Sequence, residues 1–292
     1  MNKEFNKGLL LAGFGSFWWG FFGVLYFKYI TFIGYIELVI HRCLWTTFTL
    51  VLTTFFFSKW DIFFKIIKSK QNLIYLFISG FLIFLNWGVW IYAIATNRII
   101  DASFGYFIMP ILSVLLGYIF FKEKLNNKRV FSIMLVILSI LYLIFVSLKS
   151  LPWVGIIVAL SWGFYNLVRK KINVDTDIGL LIESLFILPI AIIVFYMIAA
   201  KGYNDFSLSN PSMMLIIFLA GPMTVIPLFL YVRGVELCGL GPSGMIFYIT
   251  PTLQFLLGFF YYDEVFSFNK LVSFIIIWFA VIIYLRDLYE TN

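Results

Sequence analysis

Apolar residues in this chain fall in long unbroken runs separated by short polar connectors. The runs cover Gly8–Phe27, Gly34–Phe57, Asn72–Ala95, Ala102–Phe121, Val130–Leu148, Pro152–Val168, Ile178–Ala200, Ser212–Val235, Ser243–Tyr262 and Leu271–Tyr289. A helix of about 20 residues crosses the hydrocarbon of a bilayer, and each run is near that length. Backbone N–H and C=O groups in lipid must pair internally, and the runs do not alternate in polarity, so helices are predicted rather than a barrel. The expected fold class is all-α: a polytopic membrane protein with ten transmembrane helices. The connector Ser58–Gln71 differs from the others. Trp60, Phe63, Phe64 and Ile67 recur at helical spacing among Lys59, Lys65, Lys68 and Lys70, which predicts a short amphipathic helix in the membrane interface. The first run follows Lys3 and Lys7 as a signal peptide would, but it has no small-residue cleavage site and reads as a retained helix.

Composition agrees with the pattern. The chain is 63% apolar and 12% charged, too apolar for a soluble enzyme or a disordered chain. The net charge of +7 would fit a nucleic-acid binder, but the basic residues sit in short clusters between runs, as in cytoplasmic loops, so no nucleic acid is expected. Counted by side, 14 Lys and Arg fall on the face shared with both termini and 5 on the other, with Arg42 and Arg233 inside runs. Both termini are therefore expected in the cytoplasm. Cys43 and Cys238 form no disulfide framework or zinc spacing, and His41 is the sole histidine, so no metal or other cofactor is expected.

The chain repeats itself. Trp19-Gly20-Phe21 recurs as Trp162-Gly163-Phe164, a shift of 143 residues. The same shift sets the small residues Ala12, Ser16 and Gly20 on Gly155, Ala159 and Gly163. Tyr106-Phe107-Ile108-Met109-Pro110 matches Phe247-Tyr248-Ile249-Thr250-Pro251 at a shift of 141, followed by Leu116-Gly117 on Leu257-Gly258 and Glu123 on Glu264. The expected domains are 1–150 and 151–292, five helices each. An odd number of crossings makes the second copy enter from the opposite face, giving an inverted-topology repeat of the kind that places a substrate site between the copies.

Several residues are candidates for that pathway. Ionisable groups inside runs are costly in lipid, which singles out Glu37, His41, Arg42, Glu183 and Arg233. Glu37 and His41 are four apart on one helix face. Glu37 lies about one turn from the outer end of its run and Glu183 about one turn from the cytoplasmic end of its own. Glu183 and Arg233 are expected to pair in an inner gate, with a static ion pair or a snorkelling Arg233 as the alternatives. Asn86, Trp87, Tyr92, Asn166, Tyr231 and Gln254 are polar or amphipathic groups at membrane depth that can orient a ligand or join helices. Pro110 and Pro251 break their runs and free the carbonyls of Tyr106 and Phe247, beside Tyr248, either as plain kinks or as hinges. The small-residue stripes serve either static packing or a sliding contact. Gly239, Gly241 and Gly244 satisfy G-x-G-x-x-G, but the strand and βαβ unit of a dinucleotide site are missing from the pattern.

Glu37-Leu-Val-Ile-His41-Arg42 with Trp45, Asn86-Trp87, Ala102 through Pro110, Tyr165 through Lys171, Gly179 through Glu183 and Tyr248 through Leu253 together resemble the RarD proteins of the EamA group, in the drug/metabolite transporter superfamily. The resemblance spans nearly the whole chain. It implies ten helices in two repeats in a bacterial inner membrane, and export or exchange of small metabolites. Arg233 departs from the pattern, where a small or apolar residue is expected, and would favour an anionic or zwitterionic ligand. The expectation is a transporter, not an enzyme, acting on a small-molecule substrate within a lipid bilayer. A coupling proton on Glu37 or Glu183 and simple facilitated exchange stay open, nothing in the sequence indicates an oligomer, and a lipid flippase or an enzyme of lipid-linked substrates is the alternative.

Overall fold

The structure is a computed structural model describing residues 3–96, 99–147, 153–172, 174–206, 211–261 and 268–291. Among these residues every regular element is helical. Helix α1 runs Lys3–Tyr29 and contains a π-helical turn at Trp19–Gly23. It is followed by α2 (Tyr35–Phe56), α3 (Trp60–Ile67), α4 (Lys70–Ala95), α5 (Ile99–Phe121) and α6 (Asn127–Ser147). The second half holds α7 (Trp153–Lys171), α8 (Thr176–Ala200), α9 (Pro211–Cys238, with a break at Leu219), α10 (Leu240–Ile246), α11 (Ile249–Phe260) and α12 (Phe268–Thr291). The bundle exposes large apolar side chains around its outside, such as Phe145 at 83% and Phe56 at 75%, where lipid rather than water suits them.

Seven helices are long and apolar enough to cross a membrane: α1, α2, α4, α6, α8, α9 and α12. The other three expected crossings fall short of that mark for separate reasons. Helix α5 runs 23 residues, Ile99–Phe121, but its described side chains begin at Gly105. Helix α7 carries Ser161, Asn166 and Arg169, all buried, so its polarity turns inward to other helices. The ninth run is divided at Phe247–Tyr248 into α10 and α11.

The two matched prolines behave differently. Pro110 stays inside a continuous α5, whereas Pro251 follows the break between α10 and α11. The carbonyl of Phe247 that Pro251 cannot serve is not free, because Thr250 N–H donates to it at 2.9 Å. The repeat mate Glu264 lies outside the described residues.

Close pairings run between the halves. Helix α1 packs along α9 and against α10 and α11, and α7 packs along α4 and α5. Helix α2 packs on α8 and α9, α4 on α8, α5 on α10, and α6 on α12. The small residues make these approaches possible. A Cβ on Gly234 of α9 would come within 2.6 Å of Ala12 N, and one on Gly15 within 2.9 Å of Pro227 O. Gly20 lies against Thr250 and Leu253, and Thr250 Oγ1 donates to Ser16 O at 2.9 Å. In the second half, Gly163 packs on Leu112, Gly155 O faces Gly105, and Ala159 is buried. Both stripes therefore face the opposite half, the close approach that small residues permit.

The expected amphipathic helix forms as α3, but it is partly docked on protein. Ile66 is buried with Ile172, Val174 and Ile178, while Phe64 stays exposed. Beside it Lys59 Nζ lies 2.7 Å from Asp177 and 3.4 Å from Asp175. Partial burial opposes the Lys59 charge, yet the two carboxylates outweigh it and hold its pKa above the ordinary lysine value.

Candidate functional site

Between the halves lies a partly open cavity. Its wall is largely aromatic. The π-helical turn of α1 brings Trp19 and Gly23 to it, and α4 adds Asn86, Trp87 and Trp90. Single-turn π segments inside α-helices occur frequently at functional sites. The far wall comes from Trp162 of α7 with Phe247, Thr250 and Gln254 of the divided ninth run. Tyr106 and Phe27 complete it, with one charged residue, Arg42.

Trp19 and Trp162 meet edge to face at 5.0 Å, and both lie against Tyr231, at 6.0 and 5.6 Å. Phe247 closes on Tyr231 at 5.2 Å and on Tyr106 at 5.8 Å. These rings form a plug across the bundle. Beyond it, toward the end that carries Lys3 and Cys238, the chain stays closed: Gly15 abuts Tyr231, Gly234 abuts Ala12, and Gly8 abuts Cys238.

Carboxylates staple that same end. Glu123, between α5 and α6, accepts from Leu240 N–H at 2.8 Å and Gly241 N–H at 2.9 Å. The two amides open α10, where the helix dipole favours an anion. The Gly-x-Gly-x-x-Gly turn thus receives a side-chain carboxylate of the other half. Gly239 takes φ +97°, which an L side chain rarely adopts, and a Cβ there would sit 2.6 Å from Glu123 Oε1. Gly244 packs on Ser113.

The pairing expected between Glu183 and Arg233 is not formed. Glu183 is buried and accepts from Ser79 Oγ at 2.5 Å and Tyr165 OH at 3.2 Å, with Arg169 Nη1 at 3.5 Å. Arg169 also donates to Thr176 O at 3.0 Å. Arg233 is 44% exposed and pairs with Glu236 three residues on, at 2.9 Å. It lies away from the cavity, so the ligand preference attached to it does not follow. The sequence contains a signal for the true partner: Arg169 sits one turn beyond Tyr165 and Asn166 on the inward face of α7, though at the edge of a run where it reads as a loop cation.

At the opposite end, Glu37 accepts from the backbone N–H groups of Asp205 and Phe206 at 2.7 and 2.9 Å, and His41 Nε2 lies 3.3 Å from it. That carboxylate holds the loop after α8 and does not line the cavity. Five of the expected pathway residues do line it: Arg42, Asn86, Trp87, Tyr106 and Gln254. The others serve packing around it. Tyr248 OH donates to Phe107 O at 2.9 Å, Tyr231 OH to Ser243 O at 3.3 Å, and Asn166 Nδ2 to Trp162 O at 2.8 Å. Tyr92 lies between Tyr35 and Trp153. Pro110 and Pro251 are buried within their helices and are absent from the wall. Among the described residues no group of His, Cys, Asp and Glu could hold a metal ion.

The EamA-like transporter family model matches residues 6–145. Protein RarD of Escherichia coli (strain K12) is 33% identical over 290 residues, covering 99% of this chain and 97% of that protein. An uncharacterized transporter, YojE, of Bacillus subtilis (strain 168) is 32% identical, covering 97% and 95%. A solved crystal structure at 13% identity has the same fold, with a TM-score of 0.70 over 95% of this chain and 96% of that one. The apolar bundle and these likenesses define a multi-pass membrane transporter of the EamA-like type. Within that class the chain belongs to the RarD subfamily of the drug/metabolite transporters.

Proposed function

We propose that the protein is a secondary transporter that moves a small organic metabolite across the bacterial cytoplasmic membrane by alternating access, as an exporter or exchanger. The observation that carries this reading is the aromatic cavity in the seam between the halves, closed toward one end of the bundle by contacts made almost wholly between them. Residues 1–150 and 151–292 act as two five-helix units of inverted topology, ten crossings in all, with both termini in the cytoplasm. The helix pairings support that duplication. Exchanging α1 with α7, α2 with α8, α4 with α9, α5 with α10–α11 and α6 with α12 turns each principal pairing into another that is present. Such a symmetry gives two related arrangements of one seam, the requirement for opening alternate sides.

In this reading the protein is closed to the cytoplasm. Opening that side parts α1 from α9 and Glu123 from α10. The carboxylates then have unequal roles: Glu37 holds an outer loop, and Glu183 sits in the half that closes, so Glu183 is the candidate for a coupling proton. The test is purified protein in liposomes, screened for uptake and counterflow of small metabolites with and without a pH gradient. Saturable flux that empty liposomes lack is the expected result. A gradient-dependent component lost in Glu183→Gln and retained in Glu37→Gln assigns the proton. Absence of flux for every solute class, with folded protein in the membrane, overturns the reading.

A further inference from the structure

Among the described residues three arginines are buried, Arg42, Arg129 and Arg169. Two of them face carboxylates: Arg129 Nε lies 2.8 Å from Asp287, and Arg169 lies 3.5 Å from Glu183. Arg42, 4% exposed, has no carboxylate partner among the described residues. Its Nε donates to Thr224 Oγ1 at 3.0 Å. Its guanidinium lies over the rings of Phe27 and Trp87, at 4.8 and 4.5 Å. Aromatic faces hold a cation in place but do not neutralise it. Two nearby carboxylates are committed elsewhere: Glu37, on the same helix, to two backbone amides and Glu183 of α8 to Ser79, Tyr165 and Arg169.

The remaining lining points the same way. Among the described residues no Asp or Glu contributes to the cavity wall, and Arg42 is the one formal charge there. Trp162 Nε1, a pure donor, is buried at the wall with no hydrogen-bond partner. An unpaired buried charge is costly, and so is an unpaired buried donor. A bound anion relieves both. The planar rings around it suit a flat apolar body.

We infer that the cavity binds an organic anion, with the ligand's carboxylate on the Arg42 guanidinium and its flat apolar body among Trp19, Trp87 and Trp162. The inference rests on the reading above that this cavity is the transport site, and it names the charge and shape of what is carried. It also moves anion selectivity from Arg233, at the surface, to Arg42, at the wall.

The test uses full-length protein in nanodiscs and three probes of one shape: indole-3-propionate, the neutral indole-3-propionamide and the cationic tryptamine. Calorimetry is expected to show the carboxylate binding about tenfold or more tighter than the amide, as a charge-assisted pair implies, and the amine weakest. Arg42→Gln is expected to remove the preference for the carboxylate while weak binding of the amide persists. Arg42→Lys retains a reduced preference. Trp162→Phe keeps the ring and loses the donor, with a smaller fall for the carboxylate alone. Equal binding of carboxylate and amide by the unmodified protein overturns the inference, and that comparison stands even if the Arg42 variants do not fold. A preference that survives in folded Arg42→Gln overturns it too. Saturable flux of a neutral solute without carboxylate preference defeats this inference and leaves the transporter reading intact. Carboxylate preference without flux of any solute defeats the transporter reading instead.

Discussion

Trp19 and Trp162 are repeat equivalents, 143 residues apart, and their rings meet edge to face at 5.0 Å across the seam. In the proposed duplication, a residue touching its own copy lies where the two units exchange. Both indoles also line the cavity, so the same contact separates the site from the closed end.

Trp162→Ala should therefore both destabilise the fold and open the plug. Truncating a buried aromatic of this size costs about 3–5 kcal/mol. Thermal unfolding in detergent should fall clearly for Trp162→Ala and only slightly for Trp162→Phe. An unchanged melting temperature for the alanine variant would show that the plug carries no packing energy.

Glu123→Gln should loosen the staple between the halves. Leu240 and Gly241 donate to different oxygens of the carboxylate, so in glutamine one bond becomes a weaker neutral one and the other N–H faces an NH2 that cannot accept it. Cys238 is buried beside that contact and serves as a built-in reporter. With Cys43 replaced by serine, maleimide labelling of Cys238 should accelerate by about tenfold, as expected for a loss near 1.4 kcal/mol. Labelling at the unmodified rate would place the closure elsewhere.

Arg169→Ala should be among the most damaging single changes, because it strands the buried Glu183. Removing one member of a buried pair costs about 3–5 kcal/mol. The double change Arg169→Met with Glu183→Leu should recover much of that stability. Arg233→Ala, at the exposed Glu236 pair, should stay within about 0.5 kcal/mol. Denaturant or thermal unfolding of the three variants decides the matter, and equal effects at Arg169 and Arg233 would contradict the arrangement.

Glu37→Ala should release the loop after α8 by leaving the Asp205 and Phe206 amides without their acceptor. Trypsin added outside right-side-out vesicles should then cut at Lys201 faster than in the unmodified protein. Cutting at residues 122–129 from that same side would be incompatible with the inverted repeat.

Gly234→Leu tests the seam at the close approach of α1 and α9. A Cβ alone would reach 2.6 Å from Ala12 N, so a leucine must push α1 from α9. Faster maleimide labelling of Cys238 is expected, together with loss of flux. An undisturbed labelling rate would mean that the helices part there without cost.

The sequence by itself determined the apolar runs, the recurring motifs and the subfamily, because bilayer length, backbone pairing and a repeated motif are local properties readable in order along the chain. It also singled out Arg42, Asn86, Trp87 and Gln254, which line the cavity, since polar groups inside apolar runs stand out, and Tyr106 through the proline at 110. Only the tertiary structure decided which charges meet. Glu183 could reach Arg169 or Arg233 as far as spacing goes, and the rotation of α7 toward α4 and α8 buries Arg169 against it while α9 turns Arg233 outward. The sequence sets the glycine-rich turn apart from a dinucleotide site, but only the structure shows that it takes Glu123 from the other half. Ion pairing and capping depend on distances between segments far apart in the chain, and those distances are set by packing across the seam.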